Sequence, residues 1–298
     1  MHRDGQSGAA SQWESYIRAC RMDGAAVTPE EVAAVFRDIR QQRYLVHMIP
    51  NAVSAALCAD GIAALGARPL MAVAKEEMEE IVAQADACVV NLGQLSQEKL
   101  SSARLALQCA AEEDKPLVLD PVGCGASSFR LKAVQELFQI PWKGIVKGNR
   151  SEIYSIQQGK LTREGIDSLQ ERGLIGEVRK GSVYLVTGKT DCILWEGGRM
   201  EVPHQEACFQ NVVGSGCLAG AVAGACSAAA RGMRMNQREQ VAAAAAACLG
   251  MAFVLGHAGK GKGYGTVKSL LLDGISMLSG RHFLDWLQRR ELWENGCI

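Results

Sequence analysis

Short apolar runs alternate with longer amphipathic segments along most of the chain. The runs are almost unbroken, which is typical of strands that are buried on both faces of a sheet. The strands predicted in this way cover residues 44–46, 69–73, 87–92, 116–119, 144–146 and 183–186. Helical spacing of apolar residues occurs between them, as in residues 76–85 and 97–111. This alternation predicts an α/β fold in which helices cover both faces of a largely parallel sheet.

The two ends of this alternating region carry clearer local signals. Before the first strand, Thr28, Pro29 and Glu31 combine an N-cap, a first-turn proline and a capping-box glutamate, so a helix is predicted to begin there. Beyond the last parallel strand, residues 191–195 and 200–202 flank a Gly-Gly pair and predict a hairpin. One edge of the sheet is therefore predicted to be antiparallel.

The composition changes after residue 214, where alanine and glycine dominate. The three close-packed helices predicted in this part cover residues 218–230, 240–255 and 266–278. Because no linker or repeat separates them from the sheet region, residues 13–280 are predicted to form one domain. Residues 1–12, which are rich in Gly, Ser and Ala, are predicted to be disordered. Residues 281–298 are predicted to be a C-terminal extension that packs on the surface or contacts another subunit.

Composition narrows the possible functions and locations. The 298 residues carry 32 basic and 32 acidic side chains without a basic stripe, which argues against nucleic acid as a partner. No uncharged apolar run reaches the roughly 18–20 residues of a membrane helix, and the first residues lack a signal-peptide core. We therefore expect a cytoplasmic protein without a membrane partner. The 11 cysteines lack paired CxxC spacing and predict reduced, mostly buried thiols rather than a zinc site.

A glycine turn precedes the first of the alanine-rich helices. Gly214, Ser215, Gly216 and Cys217 would direct free backbone N–H groups outward from a helix start, an arrangement that binds anions. For such a short pattern alone, an ordinary turn into a helix is the better interpretation. The turn becomes informative only through the other polar groups that the fold would bring near it.

Polar side chains follow three of the predicted strands. Asp120 follows one strand, Lys147, Asn149 and Glu152 follow the next, and Thr187 follows a third. Asp120 could instead cap a turn, and Asn149 could cap the next helix. Because the carboxyl ends of parallel strands meet at one edge of a sheet, these groups are expected to converge with the glycine turn. Carboxylates that suit Mg²⁺, beside an anion cradle and a lysine, predict phosphoryl transfer.

Five motifs give the sequence a more specific resemblance. The motifs are residues 47–53, 66–72, 120–123, 147–152 and 213–217. In order and spacing, they resemble the successive motifs of hydroxyethylthiazole kinases, which are members of the ribokinase-like superfamily. The resemblance extends over about residues 40–280 and is far more specific than any single motif. It implies a three-layer ribokinase-like fold and ATP-dependent phosphorylation of 4-methyl-5-(2-hydroxyethyl)thiazole in thiamin salvage.

The resemblance also implies roles for the residues at the nucleotide end of the site. Asp120 and Glu152 would hold Mg²⁺, and Lys147, Asn149 and Thr187 would contact ATP, the co-substrate. The backbone amides of this kind of site stabilise charge on the transferring phosphoryl group. The partners implied are therefore a small thiazole alcohol and ATP, and family resemblance implies a homotrimer.

At the acceptor end, the resemblance implies that Asn51, Met71 and Gly214 line the thiazole site. The amides of residues 214–217 would stabilise the transferring phosphoryl group. Cys217 occupies the position at which most ribokinase-like kinases have an aspartate base, and the thiazole kinases resemble this chain in having cysteine there. A thiol in that position can accept the alcohol proton, although it is a poorer base than a buried carboxylate, so turnover is expected to be slow.

The chain departs from the family pattern around the acceptor site. Pro50 stands where the family usually has threonine, Ala55 and Ala56 replace a larger and more polar pair, and Val73 replaces an aspartate or histidine. Three alternatives therefore stay open at this point: a kinase for another small hydroxylated heterocycle, a dehydratase of hydrated nicotinamide nucleotides, and a non-catalytic nucleotide-binding protein. The dehydratases carry aspartate where this chain has Cys217, which counts against them.

Overall fold

The protein is described here by a computed structural model of the 298-residue chain. The residues that it describes are 18–19, 27–162, 177–188, 190–203, 212–230, 236–258 and 263–294. The predicted disorder of residues 1–12 concerns a segment outside these ranges.

The described residues form one sheet of nine strands. The strands are β1 Arg18–Ala19, β2 Leu45–Ile49, β3 Arg68–Leu70, β4 Ala87–Asn91, β5 Leu117–Asp120, β6 Gly144–Asn149, β7 Ser182–Thr187, β8 Thr190–Trp195 and β9 Gly198–Pro203. Their order across the sheet is β1-β9-β8-β7-β6-β5-β4-β2-β3. Strands β2 to β7 pair in parallel, and β8, β9 and β1 continue the sheet antiparallel. The predicted parallel sheet with an antiparallel edge is confirmed.

Ten helices in the described residues cover the two faces of this sheet. They are α1 Pro29–Gln42, α2 Ala55–Leu65, α3 Met78–Gln84, α4 Gln97–Glu112, α5 Ser128–Leu137, α6 Arg150–Gln158, α7 Ser215–Ala229, α8 Gln237–Ala258, α9 Tyr264–Met277 and α10 Gly280–Glu294. One buried cluster joins one face of the sheet to α1, α2 and α7–α10, and a second joins the other face to α3–α6. The predicted three-layer arrangement is therefore confirmed.

Local sequence signals explain where several of these elements begin and end. Thr28 caps α1 as predicted, because its hydroxyl accepts a hydrogen bond from Glu31 N and the Glu31 carboxylate accepts one from Thr28 N. The strand predicted for residues 69–73 is shorter, and ends at Leu70. It lies at the edge of the sheet, where Pro69 can be accommodated because an edge strand leaves backbone groups unpaired.

The segment predicted as a C-terminal extension contributes to the core. Helix α10 packs against α1, and Phe283 and Leu287 are buried. The ring of Phe283 lies 5.5 Å from that of Phe36, centroid to centroid, in an edge-to-face arrangement that favours aromatic pairing. The described part of this segment is thus a packed helix.

Helix α8 supplies much of the same core. Its residues 237–256 are long and apolar enough to cross a membrane, but 78% of the most apolar window is buried inside the protein. A helix that is apolar on all sides is typical of a protein interior as well as of a membrane. The packing against α7 and α9 assigns α8 to the interior of this fold.

Gly144 is required by the close approach of β6 to β5. Its φ is +152°, and a Cβ added there would lie 2.1 Å from the carbonyl oxygen of Leu117. We expect Gly144→Ala to lower the free energy of unfolding by about 2–5 kcal/mol, since it adds backbone strain to a steric clash. Urea denaturation measures this loss. Gly263→Ala is the matched control, because a Cβ at that position meets nothing within 4 Å. Equal stability of the two variants would contradict the prediction.

Candidate active site

The carboxyl ends of three adjacent strands bring the predicted polar residues to one edge of the sheet. Strand β5 ends at Asp120, β6 ends at Asn149 and β7 ends at Thr187. In the parallel register, Asn149 lies opposite Thr187. Lys147 lies two residues before the end of β6. These groups therefore come together as the sequence predicts.

Asp120 and Lys147 form a buried ion pair at the centre of this edge. Lys147 Nζ lies 3.5 Å from Asp120 Oδ1, and both side chains are at most 5% exposed. Asn91 donates a hydrogen bond of 2.8 Å to Asp120 Oδ2 from the neighbouring strand β4. Burial raises the pKa of Asp120 to about 7, against the opposing effect of Lys147. Burial would lower the pKa of Lys147, but the carboxylates of Asp120 and Glu152 outweigh it and raise that pKa.

Glu152 links the ends of β5 and β6. Its Oε1 accepts a hydrogen bond of 2.8 Å from Gly123 N, and its Oε2 accepts one of 2.8 Å from Asn149 N. Asn149 Oδ1 in turn accepts from Glu152 N at 2.9 Å, which completes a capping box at the start of α6. The helix-capping interpretation of Asn149 is therefore correct, and the same bonds hold the Glu152 carboxylate next to the ion pair.

The two carboxylates suit one kind of metal ion. The described residues contain no group of three or more His, Cys, Asp or Glu side chains that could bind a metal. Mg²⁺ does not need one, because it usually keeps several waters and binds one or two carboxylates together with substrate phosphates. Asp120 and Glu152 fit that pattern, since each carboxylate oxygen can accept more bonds than the protein supplies.

The glycine turn lies directly on the buried ion pair. Gly214 caps α7 with a φ of +94°, and Cys217 lies buried in the first turn of the helix. A Cβ added to Gly216 would be 3.3 Å from Lys147 Nζ, and one added to Gly220 would be 3.3 Å from Asp120 Oδ2. The absence of side chains at these two glycines therefore lets the start of α7 approach the pair closely.

The start of α7 also presents unused donors. Within the described residues, the N–H groups of Gly216 and Cys217 have no backbone or side-chain acceptor. The first N–H groups of a helix and the helix dipole together favour a bound anion. Beside Lys147, the turn is thus suited to a phosphate group.

The predicted acceptor residues extend the site along this sheet edge toward β2 and β3. They are Asn51, Met71 and Gly214. Asn51 follows β2 and Met71 follows β3, so both lie at the same sheet edge as Asp120. Gly214 packs on α2, where a Cβ would lie 3.0 Å from Ser54 Cβ. The turn thereby connects the predicted acceptor residues to the buried ion pair. Val73, which follows Met71, is half exposed at 51%.

Three polar residues of this region were not predicted from the sequence. One is Asn91, and the others are Lys99 and Arg130. Lys99 Nζ donates hydrogen bonds of 2.6 Å to Pro50 O and Gly93 O, and burial lowers the pKa of Lys99 to about 8. Arg130 donates to the carbonyl oxygens of Leu92 and Val122.

A sequence signal for the two cations did exist. Lys99 and Arg130 each stand three residues after a capping serine, in the first turn of α4 and α5. A helix dipole disfavours cations in that turn. Basic residues at two such positions therefore indicate a local need for positive charge, which a search of strand ends alone does not find.

Comparison with known proteins relates this geometry to a family. The family model described as "Hydroxyethylthiazole kinase family" matches residues 36–281. The chain belongs to the hydroxyethylthiazole kinase family. The resemblance that the motifs indicate is thereby confirmed, and the chain is a kinase. The dehydratase alternative is not supported by this family assignment.

Individual members of the hydroxyethylthiazole kinase family match most of the chain. The hydroxyethylthiazole kinase of Desulfovibrio desulfuricans is 32% identical over 272 residues, which cover 83% of this chain and 94% of that protein. The protein of the same name from Exiguobacterium is 38% identical over 200 residues, or 65% of this chain and 76% of that protein.

Solved structures agree with the family assignment. The hydroxyethylthiazole kinase protein of Pyrococcus horikoshii has a TM-score of 0.73 and 29% identity, and the match covers 83% of this chain and 93% of that one. A ribokinase-like superfamily protein of Enterococcus faecalis has a TM-score of 0.51 at 11% identity, covering 88% and 93% of the two chains. The second match shows the shared fold alone, and it confirms the predicted ribokinase-like architecture.

Proposed function

We propose that the chain transfers the γ-phosphoryl group of ATP to the hydroxyl of 4-methyl-5-(2-hydroxyethyl)thiazole, a reaction of thiamin salvage. The observation that carries the proposal is the position of the Gly214–Cys217 turn on the buried pair of Asp120 and Lys147. An anion cradle, a fixed ammonium and a thiol then lie within one small region. The relatives that cover most of the chain are named hydroxyethylthiazole kinase.

The nucleotide is proposed to lie along the ends of β6 and β7. Lys147, Asn149 and Thr187 line this path, and their strands hold them in register. Lys147 can neutralise a phosphate oxygen, while Asn149 and Thr187 offer an amide and a hydroxyl for hydrogen bonds. Asp120 and Glu152 would hold Mg²⁺, which supplies charge neutralisation of the phosphates when it is bound.

Cys217, in its thiolate form, is proposed to take the proton of the acceptor hydroxyl and so become a thiol. The group lies in the first turn of α7, next to the unused amides that would stabilise the transferring phosphoryl group. A free thiol is only a few per cent thiolate near neutral pH, whereas a carboxylate is ionised there, so a carboxylate is the more available proton acceptor. Slow turnover is the expected consequence.

The acceptor is proposed to bind between the ends of β2 and β3 and the turn at Gly214. Asn51 and Met71 would line this space. Val53 and Val213 beside it are 61% and 70% exposed, and such apolar exposure fits a contact between subunits. Together with family resemblance, this supports a homotrimer.

The direct test is ADP release by the purified protein with Mg²⁺ and a series of alcohols. The series contains hydroxyethylthiazole, hydroxymethylpyrimidine and alcohols related to vitamin B6. We expect turnover with the thiazole and little with the others. Phosphorylation of another heterocycle in place of the thiazole would make the substrate assignment wrong. Binding of ATP without turnover of any alcohol would instead indicate a non-catalytic protein.

Variants of Cys217 test the proposed base. We expect Cys217→Ala to lower kcat by about 100-fold, at the lower end of the effect of a general base, with little change in KM for the thiazole. Cys217→Asp should keep or raise kcat, since a carboxylate is the better base. The matched control is Cys226→Ala, which removes a buried thiol of the same helix. The role is wrong if alanine at 217 leaves kcat intact, or if aspartate there abolishes it.

A further inference from the structure

Arg150 lies next to the proposed nucleotide path without a role in the site described so far. It is the first residue of α6 and directly follows Asn149, the last residue of β6. The pairing of Asn149 with Thr187 places Arg150 beside Gly188. A Cβ added to Gly188 would lie 3.5 Å from Arg150 Nε. The guanidinium stem therefore lies across the end of β7, over a residue without a side chain.

The position of this charge is unfavourable unless an anion is present. Arg150 is in the first turn of α6, where the helix dipole favours acidic side chains. Lys99 and Arg130 share such positions at neighbouring helices, but both donate hydrogen bonds to backbone carbonyls. Arg150 is partly buried, and within the described residues it makes no hydrogen bond or ion pair. Its donors are thus left for a ligand.

Asp191, the acidic residue of β8, already has other partners. Asp191 Oδ1 accepts a hydrogen bond of 2.9 Å from Gly188 N, and its carboxylate adds to the effect of burial in raising the pKa of the Cys248 thiol. Arg150 is close enough to Cys192 on β8 to affect its pKa. Burial raises this pKa, and the positive charge of Arg150 acts in the opposite direction. The guanidinium thus lies near the β7–β8 turn.

We propose that Arg150 binds the α- or β-phosphate of the nucleotide. This inference rests on the proposed function, in which Asn149 and Thr187 contact ATP. The transferring phosphoryl group belongs at Lys147 and Gly216, and Arg150 follows Lys147 by three residues, at most about 10 Å along the chain. Its fork of N–H donors matches phosphate oxygens in pairs. Arg150 therefore holds a phosphate group that remains in ADP after the γ-phosphoryl group has been transferred.

Calorimetric titration with ADP and with adenosine tests this inference. We expect Arg150→Gln to weaken ADP binding about 10-fold, the effect of losing a charge-assisted hydrogen bond, while adenosine binding stays unchanged. Arg150→Lys should recover part of the ADP affinity, because it keeps the charge but not the fork. In steady-state assays, KM for ATP should rise with little change in KM for the alcohol. The control is Arg281→Gln on α10, at a side chain that is 89% exposed.

The outcomes separate this inference from the proposed function. Unchanged ADP affinity in Arg150→Gln would overturn the phosphate contact, and an equal loss of adenosine affinity would show a contact with the nucleoside instead. If the wild-type protein binds ADP but phosphorylates no thiazole, the proposed substrate is wrong. The ADP titrations then still test the role of Arg150. A wild-type protein that binds no ADP refutes both. Thermal unfolding of each variant checks that the fold is retained.

Discussion

Lys147→Met is expected to abolish most phosphoryl transfer and to destabilise the protein at the same time. The substitution gives an uncharged side chain of similar shape but leaves Asp120 as a fully buried carboxylate without its counter-ion. Removal of one partner of a buried ion pair costs about 3–5 kcal/mol. It also removes the cation beside Gly216, so kcat should fall by about 100- to 1,000-fold. Urea denaturation measures the first effect and ADP release measures the second.

The double variant Asp120→Asn/Lys147→Met separates the two effects. It is a neutral pair of similar volume, and such replacements often recover stability because no charge is then buried. We expect its free energy of unfolding to return most of the way to the wild-type value, while kcat stays as low as in Lys147→Met. Recovery of kcat in the double variant would show that Lys147→Met acts only through stability. A double variant as unstable as the sum of the two single variants would contradict the ion-pair argument.

Alkaline pH is expected to destabilise the folded protein strongly. Besides Cys109, burial raises the pKa of six thiols in the described residues, to about 12 for three of them and to about 11 for a fourth. The six are Cys58, Cys88, Cys124, Cys192, Cys226 and Cys248. Above about pH 9 the unfolded chain loses these protons and the folded chain keeps them, so stability falls as the pH rises. Each thiol contributes about 1.4 kcal/mol per pH unit.

The combined loss between pH 8 and pH 10 should therefore reach about 5–8 kcal/mol, which is comparable to the whole stability of a typical domain. Lys99 acts in the opposite direction, because its lowered pKa makes the folded chain lose a proton first. Urea denaturation across this pH range, with a reductant present, measures the loss. Cys226→Ala should make the slope shallower by about 1.4 kcal/mol per pH unit. A slope that does not change in this variant would contradict the explanation.

Much of the sheet and of the nucleotide end of the site follows from short-range patterns. The apolar runs that become β4 to β7 are nearly continuous, so their strand ends, and with them Asp120 and Thr187, can be placed without knowledge of the fold. The glycine turn before α7 is equally visible. Each of these features depends on residues that are close in sequence, and that is why the sequence predicts them.

Features that depend on distant partners could not be predicted. Helix α2 has many alanines and an aspartate, so its buried positions do not stand out in the sequence as an apolar stripe with helical spacing. Strand β1 has only two residues and exists through its pairing with β9. Asn91 reads as an interruption of an apolar strand until Asp120 of the next strand is known to accept its hydrogen bond. The roles of Lys99 and Arg130 likewise depend on carbonyls of other segments.

The docking of α7 on the sheet has a consequence for the synthesis of the chain. Helix α7 packs on β4 and β5, and a Cβ at Gly224 would lie 2.3 Å from Val89 Cγ2. During translation, the parallel strands emerge from the ribosome well before this helix. The Asp120–Lys147 pair is therefore exposed to water at first, and it enters a low-dielectric environment only when α7 packs on the sheet. Chains that terminate before residue 215 would therefore carry the charged residues of the site but lack the cover that makes them a nucleotide site.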